Sequence, residues 1–146
     1  MKRVALLTTT AVVVSACTST VSGQATAPST LGWQRNVTTA ITMLGTALGP
    51  VGDAMVSHDL AGMARACSGL SSPIDQIERL LPTPDSAVTA ALRDSVSDYR
   101  SFARACLTLD ATPSPSAVDK LSEYLVDGDD AMRTALHHMG IELPDR

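Results

Sequence analysis

Large rings are scarce in this chain: one Trp, two Tyr and one Phe among 146 residues. A core here must be built from Leu, Ile, Val, Ala and Met, and such a core buries less area per residue than one with rings. Charge is also thin, at 18% of residues, and it carries no basic excess: the net charge is -4. That balance argues against a nucleic-acid binder, because neutralising phosphates needs a basic face. No apolar run reaches the roughly 18 residues that a membrane-spanning helix requires. Catalytic signatures are missing too. The three histidines, His58, His137 and His138, stand in neither a Glu-x-x-His nor a His-Glu-x-x-His spacing, so di-iron bundle and zinc-protease arrangements are absent. No Gly-x-Ser-x-Gly, P-loop or dinucleotide fingerprint occurs, and the cysteines form no Cys-x-x-Cys pair. The expectation is a non-enzymatic protein without metal or cofactor.

What the chain does have begins at its first residues. Met1-Lys2-Arg3 is a short cationic start, and Val4 to Val14 is an apolar stretch interrupted only by Thr8, Thr9 and Thr10. Ser15-Ala16 then supplies small residues ahead of Cys17. The pattern is that of a secretory signal peptide. Val14-Ser15-Ala16-Cys17 resembles the lipobox of bacterial lipoproteins. That resemblance covers the first 17 residues. It implies that residues 1–16 are removed and that the Cys17 thiol receives a diacylglyceryl group, with acylation of the new amino terminus, which would place the chain on the outer face of the cell membrane. Losing Lys2 and Arg3 would take the net charge from -4 to -6.

Residues 17–30 read as the lipidated cysteine and a tether. Residues 18 to 30 hold seven Ser or Thr, one Gly and one Pro, the composition of a flexible linker with a mean reach of roughly 20 Å. Setting Cys17 aside leaves an even pair, Cys67 and Cys106, in a compartment where disulfides persist. They are expected to be bonded to each other; the competing reading is two buried free thiols.

Residues 31–146 read as one helical domain. Four apolar stripes recur at helical spacing. The first holds Val37, Ile41, Leu44, Leu48, Val51 and Met55, with Gly49-Pro50 expected to kink or split it. The second holds Leu60, Met63, Cys67, Leu70, Ile74, Ile77 and Leu81, capped by Asp59, with a bend or short break at Ser71-Ser72-Pro73. The third holds Val88, Leu92, Val96, Tyr99, Phe102 or Ala103, Cys106 and Leu109, opened by Pro84 or Asp85. The fourth holds Val118, Leu121, Leu125, Gly128, Met132, Leu136 and Met139, with Ser116 and Asp119 at capping-box spacing and Gly140 at its end. Short turns between them predict an all-α, antiparallel four-helix bundle with the disulfide joining helices two and three. Pairing Cys67 with Cys106 also sets Ile74 near Tyr99 and Ile77 near Val96, apolar against apolar.

Lipobox, Ser/Thr tether and a cysteine-pinned helical hairpin around Leu81-Pro82-Thr83-Pro84 together resemble the small helical lipoproteins and secreted proteins of mycobacteria and related actinobacteria. That resemblance implies an envelope protein and no reaction.

Two surface features bear on function. Arg93, Arg100 and Arg104 share one face of the third helix, while residues 110 to 146 hold eight acids against three bases. The stripe is a candidate contact for an anionic partner, set against the plainer reading of a solvated face. Asp127-Gly128-Asp129-Asp130 lacks the spaced ligands of a calcium loop and reads as a kink or helix restart. Gly45, Gly49 and Gly52 read as small residues permitting close helix packing. The expected function is a protein-interaction module in the envelope, a transport, secretion or prophage exclusion component with an unknown protein partner. The alternative is a small-ligand or lipid carrier with a cavity between its helices.

Overall fold

A computed structural model describes residues 30–143. Within them the chain is all-helical: α1 spans Thr30–Ser57, α2 Leu60–Ser68, α3 Ser71–Arg79, α4 Ser86–Leu107 and α5 Pro115–His138. The predicted signal peptide, Cys17 and most of the tether lie outside the described residues.

The apolar stripes form one continuous core. Val37, Leu44 and Val51 of α1 join Leu70, Ile74 and Ile77, then Val88, Leu92 and Phe102 of α4, and Leu121, Met132 and Leu136 of α5, all buried. Of the stripe residues only Val118 is exposed, at 40%. α1 packs on α2 and α3, both of these pack on α4, and α4 packs most extensively on α5.

Three expectations need correction, and a fourth shifts in position. The first helix is neither split nor interrupted at Pro50, which lies inside α1. Pro50 and Gly49 are exposed, so the carbonyl that loses its amide partner can meet water while buried Leu44, Val51 and Ala54 hold the opposite face. The short break expected in the second stripe is present but falls at Gly69-Leu70, just before Ser71, and divides the stripe between two helices. There the Gly69 amide donates to the Ala66 carbonyl and the Leu70 amide to that of Cys67. Pro73 then falls in the first turn of α3, where an amide would have no intrahelical acceptor. The cap of the last helix is Ser114, not Ser116: its hydroxyl accepts from the Ala117 amide, with Pro115 at the first helical position. Finally, α5 runs unbroken through Asp127-Gly128-Asp129-Asp130.

Other local signals match. Asp59 Oδ1 accepts from the Gly62 amide at 2.8 Å, and Asp85 Oδ1 from the Ala87 and Val88 amides at 2.8 and 3.2 Å. α5 ends with Gly140 at φ 74°; the Ile141 amide reaches back to the Leu136 carbonyl and the Gly140 amide to that of His137, which is the paired bonding of a glycine-terminated helix.

Cys67 and Cys106 are joined by a disulfide between α2 and α4, with 6.2 Å between their Cα atoms. Both cysteines are buried.

Candidate functional site

Arg93, Arg100 and Arg104 lie on α4 beside the face that buries Leu92, Val96, Tyr99 and Phe102 in the core. The helix therefore commits its other face to solvent and to α3. All three guanidinium groups line one groove of about 390 Å³, together with Glu78, Leu81, Val96 and Ser97.

Their circumstances differ. Arg100 grips α3: Nη1 donates to Glu78 Oε1 at 3.0 Å, and Nη2 to Glu78 Oε2 at 2.8 Å and to Asp75 Oδ1 at 2.7 Å. This two-pronged contact is the geometry in which Arg holds a carboxylate best. The hydrogen bond from Arg100 holds the Glu78 carboxyl below its ordinary range, and the two carboxylates push the Arg100 guanidinium up. Arg100 thus already holds two anions of its own chain. Arg93 and Arg104 are exposed, and neither has a carboxylate partner among the described residues. Arg104 Nη2 donates to the Ser101 hydroxyl at 3.3 Å.

The acid-rich end of the chain meets α4 elsewhere. Burial pushes the Asp98 carboxyl up, aided by the neighbouring charges of Asp127 and Asp94 and opposed by Lys120. Lys120 itself is engaged by Glu123 Oε2 at 2.8 Å, and Arg133 Nε by Asp129 Oδ2 at 3.3 Å. Among the described residues no group of three or more His, Cys, Asp or Glu side chains is placed to hold a metal ion. His137 and His138 are exposed at the end of α5.

Gly45, Gly49 and Gly52 do not support close packing among the described residues, where a Cβ at any of them would meet nothing within 4 Å. The glycine with that role is Gly128, where a Cβ would stand 3.3 Å from the Tyr99 ring and 3.4 Å from the Asp98 Cβ. Spacing alone places Gly128 in the fourth apolar stripe.

Sequence reasoning missed a second concavity. Ala54, Met55, His58, Leu60, Met63, Leu109, Val118 and Leu121 with Pro113 surround a partly open cleft of about 310 Å³, where α1 and α4 end and α2 and α5 begin. Its parts come from three helices and two turns, so no local pattern announces it; Val118 sits on a stripe yet borders this space and is 40% exposed.

Compared with models of protein families, with curated proteins and with solved structures, the chain gives no match.

Proposed function

We propose that the chain is a lipid-anchored, non-enzymatic envelope protein, held to the outer face of the cell membrane through Cys17, whose helical domain binds another protein of the envelope. The anchor rests on the lipobox residues Val14 to Cys17 and the cationic start before them. The domain reads as an antiparallel bundle. Two cross-links support that reading: Cys67 meets Cys106 while the later Asp75 and Glu78 meet the earlier Arg100, the order expected where neighbouring helices run in opposite directions.

One observation carries the interaction reading. On a protein of net negative charge, Arg93 and Arg104 flank Arg100 in a single groove and have no carboxylate partner among the described residues. Arg100, clamped to α3, fixes the wall between them, and Leu81 and Val96 supply apolar floor. Such a surface suits an acidic face of a partner, with charge setting approach and apolar contact setting affinity.

The test has two arms. Metabolic labelling with a fatty-acid analogue should mark the wild type and not Cys17→Ser, since diacylglyceryl transfer needs the thiol; equal labelling of both refutes the anchor. Crosslinking in the native envelope should capture a partner with wild type, and capture should fall with Arg93→Gln/Arg104→Gln and with added salt. An unchanged crosslinking pattern refutes the groove as the contact.

A further inference from the structure

The cleft at the turn between α1 and α2 lies apart from the arginine groove and shares no lining residue with it. Of its described lining residues every one but His58 is apolar, so its walls favour a ligand's hydrocarbon over its charged or polar parts. Met63 and Leu121 at its base are buried core residues, whereas Val118 at its edge is 40% exposed. Apolar side chains of the core are therefore continued to a solvent opening. Small-ligand sites have this character, apolar walls with few polar groups and volumes from roughly 300 Å³ upward.

Local backbone holds the opening in place. His58 takes the left-handed conformation, φ 56°, and is the sole non-glycine residue to do so among those described. The His58 amide donates to the Met55 carbonyl and the Asp59 amide to that of Ala54, while Asp59 caps α2. This turn sets Met55 and Leu60 on two sides of one space, with His58 at its rim.

We propose that this cleft binds the hydrocarbon chain of a single-tailed amphiphile, whose head remains in solvent beside His58. At about 310 Å³ the cleft stands at the small end of ligand sites, which suits one short hydrocarbon chain rather than a two-tailed lipid. Among the described residues the lining holds no carboxylate, ammonium or guanidinium group, which favours a hydrocarbon chain over a charged segment. The proposal gives the carrier alternative a location. It depends neither on the anchor nor on the arginine groove, so its failure leaves those readings standing.

The test uses the full chain carrying Cys17→Ser, with the Cys67–Cys106 bond formed, so that no attached acyl group competes. Straight-chain alkanoates from six to sixteen carbons are titrated calorimetrically, each below its micelle concentration. Binding is expected at one per chain, with affinity rising roughly fourfold per methylene and levelling off once the cleft is filled. Val118→Asp, at a half-exposed position outside the packed core, should keep the wild-type melting temperature within a few degrees and weaken the twelve-carbon member at least tenfold. Absence of saturable binding overturns the proposal, as does equal affinity in a folded Val118→Asp protein. So does a dimer, seen by sedimentation and dissociated by Val118→Asp, in a protein that takes up no alkanoate; the occupant would then be a second copy.

Discussion

The Ser95 hydroxyl donates a 2.8 Å hydrogen bond to the Gly128 carbonyl, joining α4 to α5 at a point where Ser95 has no exposed surface. One turn along α4, the Tyr99 ring lies against the space that a side chain at 128 would need. A polar bond and a missing side chain thus set the spacing of the two most extensively packed helices.

That arrangement predicts a graded series at one position. Gly128→Ala gains up to about 1 kcal/mol of helix propensity, while its Cβ asks the Tyr99 ring to give by a few tenths of an ångström. The two effects should nearly cancel in urea denaturation. Gly128→Leu has no such room and should cost about 1–3 kcal/mol through overpacking. Ser95→Ala should cost about 1 kcal/mol, the net value of one buried hydrogen bond.

The disulfide closes a segment with a sequence separation of 39. On the chain-entropy account such a link stabilises by roughly 4 kcal/mol, acting mainly on the unfolded chain. Reduction should therefore lower the melting temperature by roughly ten degrees or more while helical circular dichroism below the transition stays largely unchanged. The oxidised protein should show no thiol from Cys67 or Cys106; titration of two reactive thiols under non-reducing denaturation would count against the bond.

Much of this fold is legible in the residue pattern because its determinants are local. Asp59, Asp85 and Gly140 act within a few residues of themselves, and burial follows the spacing of Leu, Ile, Val and Met along each stripe. Illegible features depend on partners distant in sequence. Pro50 breaks a rule of local helix stability that burial of the opposite face overrides. Gly45, Gly49 and Gly128 are the same residue at similar helical spacing, and only the position of α4 separates exposed from packed. Likewise, Arg93, Arg100 and Arg104 share a face by spacing, but the engagement of Arg100 depends on where α3 puts Asp75 and Glu78.

Two carboxyls give opposite pH dependences. Burial and the acids around it raise Asp98 above its ordinary value of 3.8, so the folded state holds this proton more tightly than the unfolded one. Its stabilising contribution is greatest below that ordinary value and is lost as pH rises through the raised one. Asp98→Asn should therefore melt above wild type at pH 7, with the gap narrowing as the pH falls toward 4. Glu78, lowered by Arg100 from an ordinary 4.5, contributes above that value and loses its contribution as pH falls through its folded pKa. Glu78→Gln should melt below wild type at pH 7 and converge with it in acid. Thermal melts across pH 3 to 7 read both trends, and parallel pH profiles for the two variants and wild type would contradict them.

The arginine face divides by the same geometry. Arg93 and Arg104 stand exposed without carboxylate partners among the described residues, so replacing both with Gln should change stability by no more than about 0.5 kcal/mol. Arg100 ties α4 to two carboxylates of α3, and Arg100→Gln removes all three bonds and leaves Asp75 and Glu78 facing each other without a cation. Its melting temperature should fall further than that of the double variant. The difference should shrink with added salt, because these side chains keep a third to a half of their surface in water. Equal melting temperatures for Arg100→Gln and the double variant at low salt would place Arg100 with the solvated arginines. A fall confined to Arg100→Gln, with crosslinking lost only in the Arg93 and Arg104 variants, would assign one arginine of the stripe to the fold and two to the partner.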